Sequence, residues 1–303
     1  MGLFEKFGPI FFYLDLPEAA PCLGYRVRCH PVSQSALSNL QIALPPTIAE
    51  QKQIACALSD IDALIEALEG AIGKKRQIKQ GAMQELFQLY KNGQIKSDWT
   101  TETIHNMCVS GGLVRGPFGG TLKKECFVDS GFKVYEQRNA IYKNAEIGRY
   151  FISIDKYQEL KRFDVKARDF IISCSGTIGK IYQIPEGSPH GVINQALLKL
   201  TIDREKYSED YFCHYFSWDK FQAKIIDNTQ GGAMKNLVGM PIFKSTEIPL
   251  PQSLEEQTAI ATILSDMDAD IAATEAKLTK TRQLKQGMMH QLLTGKIRLV
   301  NAG

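Results

Sequence analysis

The feature that most constrains this chain is a long helical segment written twice. Ile42–Phe87 recurs as Ile248–Leu293 at a constant offset of 206 residues, without a gap and with roughly half of the positions identical. Solenoid units abut at periods of about 20–50 residues, so copies this far apart are not an array. They are two equivalent elements holding something different between them.

Each copy opens on a proline-marked strand end, Leu44-Pro45-Pro46 and Leu250-Pro251-Gln252. A capping box follows, Thr47 with Glu50 and Ser253 with Glu256, in which hydroxyl and carboxylate satisfy backbone N–H groups of the first turn. The spacing predicts a helix running to near Tyr90 in one copy and Leu293 in the other, with Gly93 and Gly295 as stops. Ile54, Leu58, Ile61, Ile65, Leu68 and Ile72 alternate spacings of four and three. Ile260, Leu264, Met267 and Ile271 keep that beat until polar Thr274 interrupts it before Leu278. A sustained period of about 3.5 residues is a coiled-coil seam; a helix lying on a globular core usually shows a broader apolar stripe.

Charge sets the direction of pairing. The first half of helix one carries Glu50, Asp60, Asp62, Glu66 and Glu69, and the second half Lys74, Lys75, Arg76, Lys79 and Lys91. Helix two repeats the order, from Glu255, Glu256, Asp266, Asp268, Asp270 and Glu275 to Lys277, Lys280, Arg282, Lys285 and Lys296. An antiparallel pair sets each acidic half beside a basic half, whereas a parallel pair sets like beside like. The other reading is two solvated faces with no pairing role. A helix of about 40 residues spans about 60 Å, so the pair would be a ruler between whatever sits at its ends.

A chain of 303 residues has room for about two domains, and an apolar fraction of 44% is ordinary for a globular core. No apolar run is long enough to cross a bilayer, and Pro9–Leu14 is too short, so a soluble cytoplasmic protein is expected with no membrane partner. The seven cysteines form no CxxC pair, and Cys29-His30 and Cys213-His214 read as free thiols beside histidines, so neither a disulfide framework nor a metal site is expected. A net charge of +3 permits a local basic surface and does not by itself announce nucleic acid.

Between the helices, residues 94–247 read as one α+β domain. Short apolar runs at Phe132–Val134, Arg149–Ile154, Phe170–Ser173, Ile178–Ile184 and Gln195–Ile202 predict strands, and the aromatic beat of Tyr207–Lys224 predicts a core helix. Several turns carry groups suited to phosphates or base edges. Arg115 lies in a glycine-rich turn followed by Lys123 and Lys124. Glu136, Gln137, Arg138 and Asn139 follow the first of these runs. Ser175, Thr177 and Lys180 surround a tight turn, Asn194 and Gln195 precede a strand, and Lys235 and Asn236 follow Gly231-Gly232. Arg, Lys, Asn and Gln read base edges, while hydroxyls and backbone N–H groups hold phosphates; each is also an ordinary turn residue. No HExxH, GxSxG or GxGxxG signature is present, GTIGK is not a nucleotide phosphate loop, and LPPT at 44–47 lacks the amide of an adenine methyltransferase motif.

The motif I-x-L-P-P-x-x-x-E-Q-x-x-I at 42–54, its echo at 248–260, the tail LKQGMMHQLLTGKIRL at 284–299, the stretch DFIISCSGTIGK at 169–180 and the Asn194-Gln195 pair resemble the specificity subunit of type I restriction–modification systems. The resemblance covers nearly the whole chain. It implies a non-catalytic subunit whose target recognition domains each read one half of a bipartite DNA sequence. The paired helices would set the spacing and dock methyltransferase subunits. S-adenosylmethionine and ATP belong to partner subunits, including the restriction and translocation subunits that join for cleavage, so no cofactor is expected on this chain.

In these terms the fold is α+β, one mixed target recognition domain flanked by two long helices that pair as an antiparallel coiled coil. The expected parts are residues 1–41 as the end of a first recognition domain, 42–93 as the first spacer helix, 94–247 as the complete recognition domain and 248–303 as the second spacer helix. The DNA-contacting candidates are Arg115, Lys123, Lys124, Arg138, Asn139, Ser175, Thr177, Lys180, Asn194, Lys235 and Asn236. The family has two complete readers, and only residues 1–41 stand before the first helix here. Three outcomes follow: two copies pair to restore two readers, a separately encoded specificity fragment complements the chain, or the chain is an inactive remnant. The rival from another class is a coiled-coil scaffold whose middle domain binds protein rather than DNA.

Overall fold

The computed structural model describes residues 44–91, 94–118, 120–227 and 236–299. The expected remnant at 1–41, the glycine stop at Gly93 and the candidate Lys235 lie outside the described residues. The chain divides into two compact units, one holding the described residues up to Gln77 together with those from Asp268 onward, the other Ile78–Met267. Both divisions fall inside the two long helices, Ile48–Leu86 and Leu254–Leu293, of 39 and 40 residues.

Each helix start uses half of the expected capping box. The Glu50 N–H donates to Thr47 Oγ1 at 3.2 Å, and the Glu256 N–H donates to Ser253 Oγ at 3.4 Å. The two carboxylates turn elsewhere. Glu50 accepts from Arg298 Nε and Nη2 at 2.7 and 2.8 Å, and Glu256 accepts from Trp99 Nε1 at 3.3 Å. A bidentate guanidinium is a stronger donor than the backbone N–H that the box would offer, and it holds the Glu50 carboxyl below the ordinary carboxylate range, against the opposing effect of burial.

Within the helical unit the two segments pair antiparallel. Arg76 bonds Glu275, Lys75 bonds Asp270, Arg282 bonds Glu69, Lys285 bonds Asp62 and Arg298 bonds Glu50. As the number on the first helix falls from 76 to 50, its partner rises from 275 to 298. Most of these groups are exposed, so each pair contributes at most about 1 kcal/mol and its main effect is on orientation. The apolar seam has two knots. Leu68, Ile72 and Leu278 are buried with Ile65 against them, and Ile54, Leu58 and Leu292 are buried with Met288, Met289, Leu293 and Leu299. Ile271 is buried and Ile61 half-buried. Ile260, Leu264 and Met267 of the expected seam lie in the core of the other unit, in one cluster with Met83 of the first helix and Phe87. The 3.5-residue beat persists there, but a globular core rather than a helix alone covers it.

The unit Ile78–Met267 is built on short strands. β1 (Tyr90–Lys91) and β2 (Gln94–Ile95) pair with each other, and β3 (Trp99–Thr103) leads through a helical turn into β4 (Cys108–Arg115). β5 (Phe127–Val128), β6 (Phe132–Tyr135), β7 (Phe151–Ile152), β8 (Asp164–Val165) and β9 (Phe170–Ser173) follow. Next come β10 (Ile181–Gln183), β11 (Gly191–Ile193), β12 (Leu197–Ile202), β13 (Ile226–Asp227), β14 (Asn236–Leu237) and β15 (Glu247–Pro251). One sheet has the order β10-β9-β12-β4 and a second the order β5-β7-β6-β11-β8, in which β6 and β11 run parallel. β15 pairs antiparallel with β3, Leu250 opposite Thr100, which ties the domain's exit strand to its entry.

The expected core helix forms as Glu209–Ser217, burying Tyr211, Phe212, Tyr215 and Phe216. Phe87, the residue just after the first long helix, is inserted among them, with ring centroids 5.4 Å from Tyr211 and 5.0 Å from Tyr215 in edge-on geometry. The last turns of one long helix and the first turns of the other are therefore part of this unit's core.

Candidate nucleic-acid interface

The strand order brings distant loops to one end of the two sheets. Leu197 lies opposite Ser173, Leu198 opposite Arg115, and Ile193 beside Tyr135. The segments after β4, β6 and β9 and the turn between β11 and β12 must therefore emerge together. Backbone bonds stitch them: Gly116 N–H donates to Leu197 O at 2.9 Å, Asn194 N–H to Tyr135 O at 2.9 Å, and Cys174 N–H to Ala196 O at 2.8 Å. At Gly116 a Cβ would stand 1.8 Å from Asn194 O, so only glycine allows the loop after β4 to press on the 194–196 turn.

The 174–180 turn is held from below. Ser173 Oγ donates to Thr177 O at 2.6 Å and accepts from Lys180 N–H at 3.0 Å. Gly176 and Gly179 take φ of +61° and +74°, which other residues rarely adopt. This leaves Ser175, Thr177 and Lys180 exposed at the tip. Arg115, at the end of β4, is half-buried with its guanidinium beside the Cys174 thiol. Burial pushes that thiol up to about 11, against the pull of Arg115.

Arg138 is exposed in the short helix Gln137–Ile141, and Lys123 and Lys124 are exposed in the loop after β4. Asn194 is half-buried, its Oδ1 accepting from Ala196 N–H at 3.0 Å. Asn236 lies in β14 with its backbone opposite Asp227. Asn139 does not face a ligand. It is fully buried, its Nδ2 donating to Asn144 O at 2.9 Å and Ile147 O at 2.7 Å, and its Oδ1 accepting from Glu136 N–H at 2.8 Å. It is the internal brace of the loop after β6, a role favoured because a buried amide must satisfy both its ends.

Arg115, Lys123, Lys124, Arg138, Ser175, Thr177, Lys180 and Asn194 all lie on the strand ends, short helix and loops gathered at this end. Four further residues join them. Gln137 is half-buried, with its Oε1 fully covered and without a hydrogen-bond partner among the described residues; Arg115 Nε is in the same state. Glu136, Gln195 and Tyr150 border a cleft of about 390 Å³ whose other walls are Pro117, Gly120, Thr121, Leu122, Lys124, Phe127, Val134, Asn194 and Ala196. Glu136, Gln137 and Gln195 stand beside candidates in the sequence, whereas Tyr150 enters through the β7 pairing, for which no linear motif exists. Among the described residues no cluster of three His, Cys, Asp or Glu side chains is placed to hold a metal ion, and no helix is long and apolar enough to cross a membrane.

The chain belongs to the type I restriction modification DNA specificity domain family, which it matches over residues 96–283. It is 27% identical over 293 residues to the MjaVIII type I restriction enzyme specificity subunit of Methanocaldococcus jannaschii, covering 89% of this chain and 65% of that one. A provisionally named MjaX specificity subunit of the same organism is 29% identical over 282 residues, covering 88% and 62%. The chain thus spans less than two thirds of the length of these relatives. Among solved structures, the HsdS subunit from Thermoanaerobacter tengcongensis aligns with a TM-score of 0.54 at 17% identity, over 91% of this chain and 66% of that one. The type I S subunit from M. genitalium aligns with a TM-score of 0.53 at 16% identity, over 86% and 65%. These likenesses establish the fold.

Proposed function

We propose that this chain is a DNA sequence-recognition subunit of a type I restriction–modification complex. It reads one half of a bipartite target through the loop end of Ile78–Met267, docks methyltransferase subunits along its helices, and leaves chemistry, S-adenosylmethionine and ATP to its partners. The observation that carries the reading is the convergence of Arg115, Lys124, Arg138, Thr177, Lys180 and Asn194 from separate strands onto one end of the domain. Exposed cations there suit phosphates, and Arg and Asn suit base edges.

The test is DNA affinity as a function of salt for two substitutions. Lys124→Ala should weaken binding to all sequences alike and lower the salt slope by about 0.9. Arg138→Ala should cost about 1–3 kcal/mol and relax one position of the target. Wild-type affinity and slope in both variants would refute the interface.

A further inference from the structure

We infer that the cleft beside Glu136 is a pocket for a single nucleobase drawn out of the duplex; the inference rests on the DNA-recognition reading above. Contacts to base edges in a groove need only protruding side chains. This domain has more, a concavity of about 390 Å³ among the gathered loops, within the range of small-molecule sites. Its walls are mostly apolar, with Phe127 and Tyr150 forming an aromatic side, their ring centroids 4.5 Å apart. Its polar lining residues are few: Glu136, Asn194, Gln195, Thr121 and Lys124.

That combination discriminates between occupants. A phosphate alone would meet Lys124 set against the Glu136 carboxylate and mostly apolar walls, a balance that does not favour it. An unstacked base meets what such bases ordinarily meet, aromatic and apolar surface against its faces and hydrogen-bonding groups against its edge. A carboxylate accepts from an exocyclic amino group, so Glu136 selects an amino-bearing base (adenine, cytosine or guanine) over thymine. Lys124, bordering the same cleft, is placed for the phosphate of the extruded nucleotide. The residues are also held in place. The Asn194 Oδ1 is fixed by Ala196 N–H, and Glu136 caps the braced helix Gln137–Ile141.

The experiment uses the full chain and duplexes obtained by selection on it, with 2-aminopurine or pyrrolocytosine placed in turn at every position of the half-site. Binding should raise fluorescence several-fold at one position and leave its neighbours unchanged. Ala196→Phe, which fills the cleft, should abolish the rise. Glu136→Gln should lose the preference for an amino-bearing base at that position, and it serves if the filled variant does not fold. Tight sequence-specific binding with flat fluorescence at every position would overturn the pocket and leave the recognition reading intact. A rise that survives both substitutions would also overturn it. Failure to bind any duplex selectively would overturn both.

Discussion

Phe87→Ala tests whether the first long helix is fastened to the recognition domain by one ring. Phe87 is 1% exposed, and it touches Tyr211 and Tyr215 edge-on and lies 5.6 Å from the Trp218 ring. Truncating a buried phenylalanine typically costs about 3–5 kcal/mol. Each edge-to-face pair contributes about 0.5–1.5 kcal/mol beyond its buried area, which puts Phe87 toward the upper part of that range. For a domain of this size about 2–4 °C is lost per kcal/mol, so the midpoint of the Ile78–Met267 unit should fall by about 6–20 °C. The assay is thermal unfolding of the full chain followed by near-ultraviolet circular dichroism, which reports the aromatic cluster, with exposed Leu64→Ala as the control. A loss of less than about 1 kcal/mol would refute the reasoning, since the cluster would then close without the helix.

Leu58→Asp would bury an unpaired charge among Ile54 and Leu292 and should destabilise the helical unit by several kcal/mol; unfolding midpoint and assembly mass equal to wild type would refute the seam. The Glu50–Arg298 bridge should be pH-dependent. Because the folded Glu50 carboxyl sits below its unfolded value, its contribution is present above the ordinary carboxylate range and is lost as pH falls through the lowered value. Arg298→Ala should therefore destabilise the protein at neutral pH, with the difference from wild type closing in acid; a difference that stays constant under titration would argue against the bridge. Asn139→Ala should cost about 1–3 kcal/mol by removing the buried amide that bonds the Asn144 and Ile147 carbonyls and the Glu136 N–H, and leave untouched the base preference of what DNA binding remains, which selection on the variant would check.

The long helices were legible because periodicity and charge are local properties of a chain. A 3.5-residue beat and an acid-to-base gradient determine that Ile48–Leu86 and Leu254–Leu293 are helices and that they run antiparallel. The loops were legible as loops, since Gly176, Gly179 and their polar neighbours mark turns whatever surrounds them. The sequence could not say what covers an apolar residue. Ile260 and Leu264 repeat Ile54 and Leu58 almost residue for residue, yet only the former share a core with Tyr211 and Phe212. It could not separate Asn139 from Arg138, because burial of the one and exposure of the other depend on carbonyls at 144 and 147 folding back over the helix. Nor could it assemble Glu136, Tyr150 and Asn194 into one cleft. Strand pairing, with Ile193 beside Tyr135 and Lys133 opposite Phe151, decides which loops meet. Pairing is settled by the hydrogen bonds and buried area of the whole sheet, a sum that no short stretch of sequence contains.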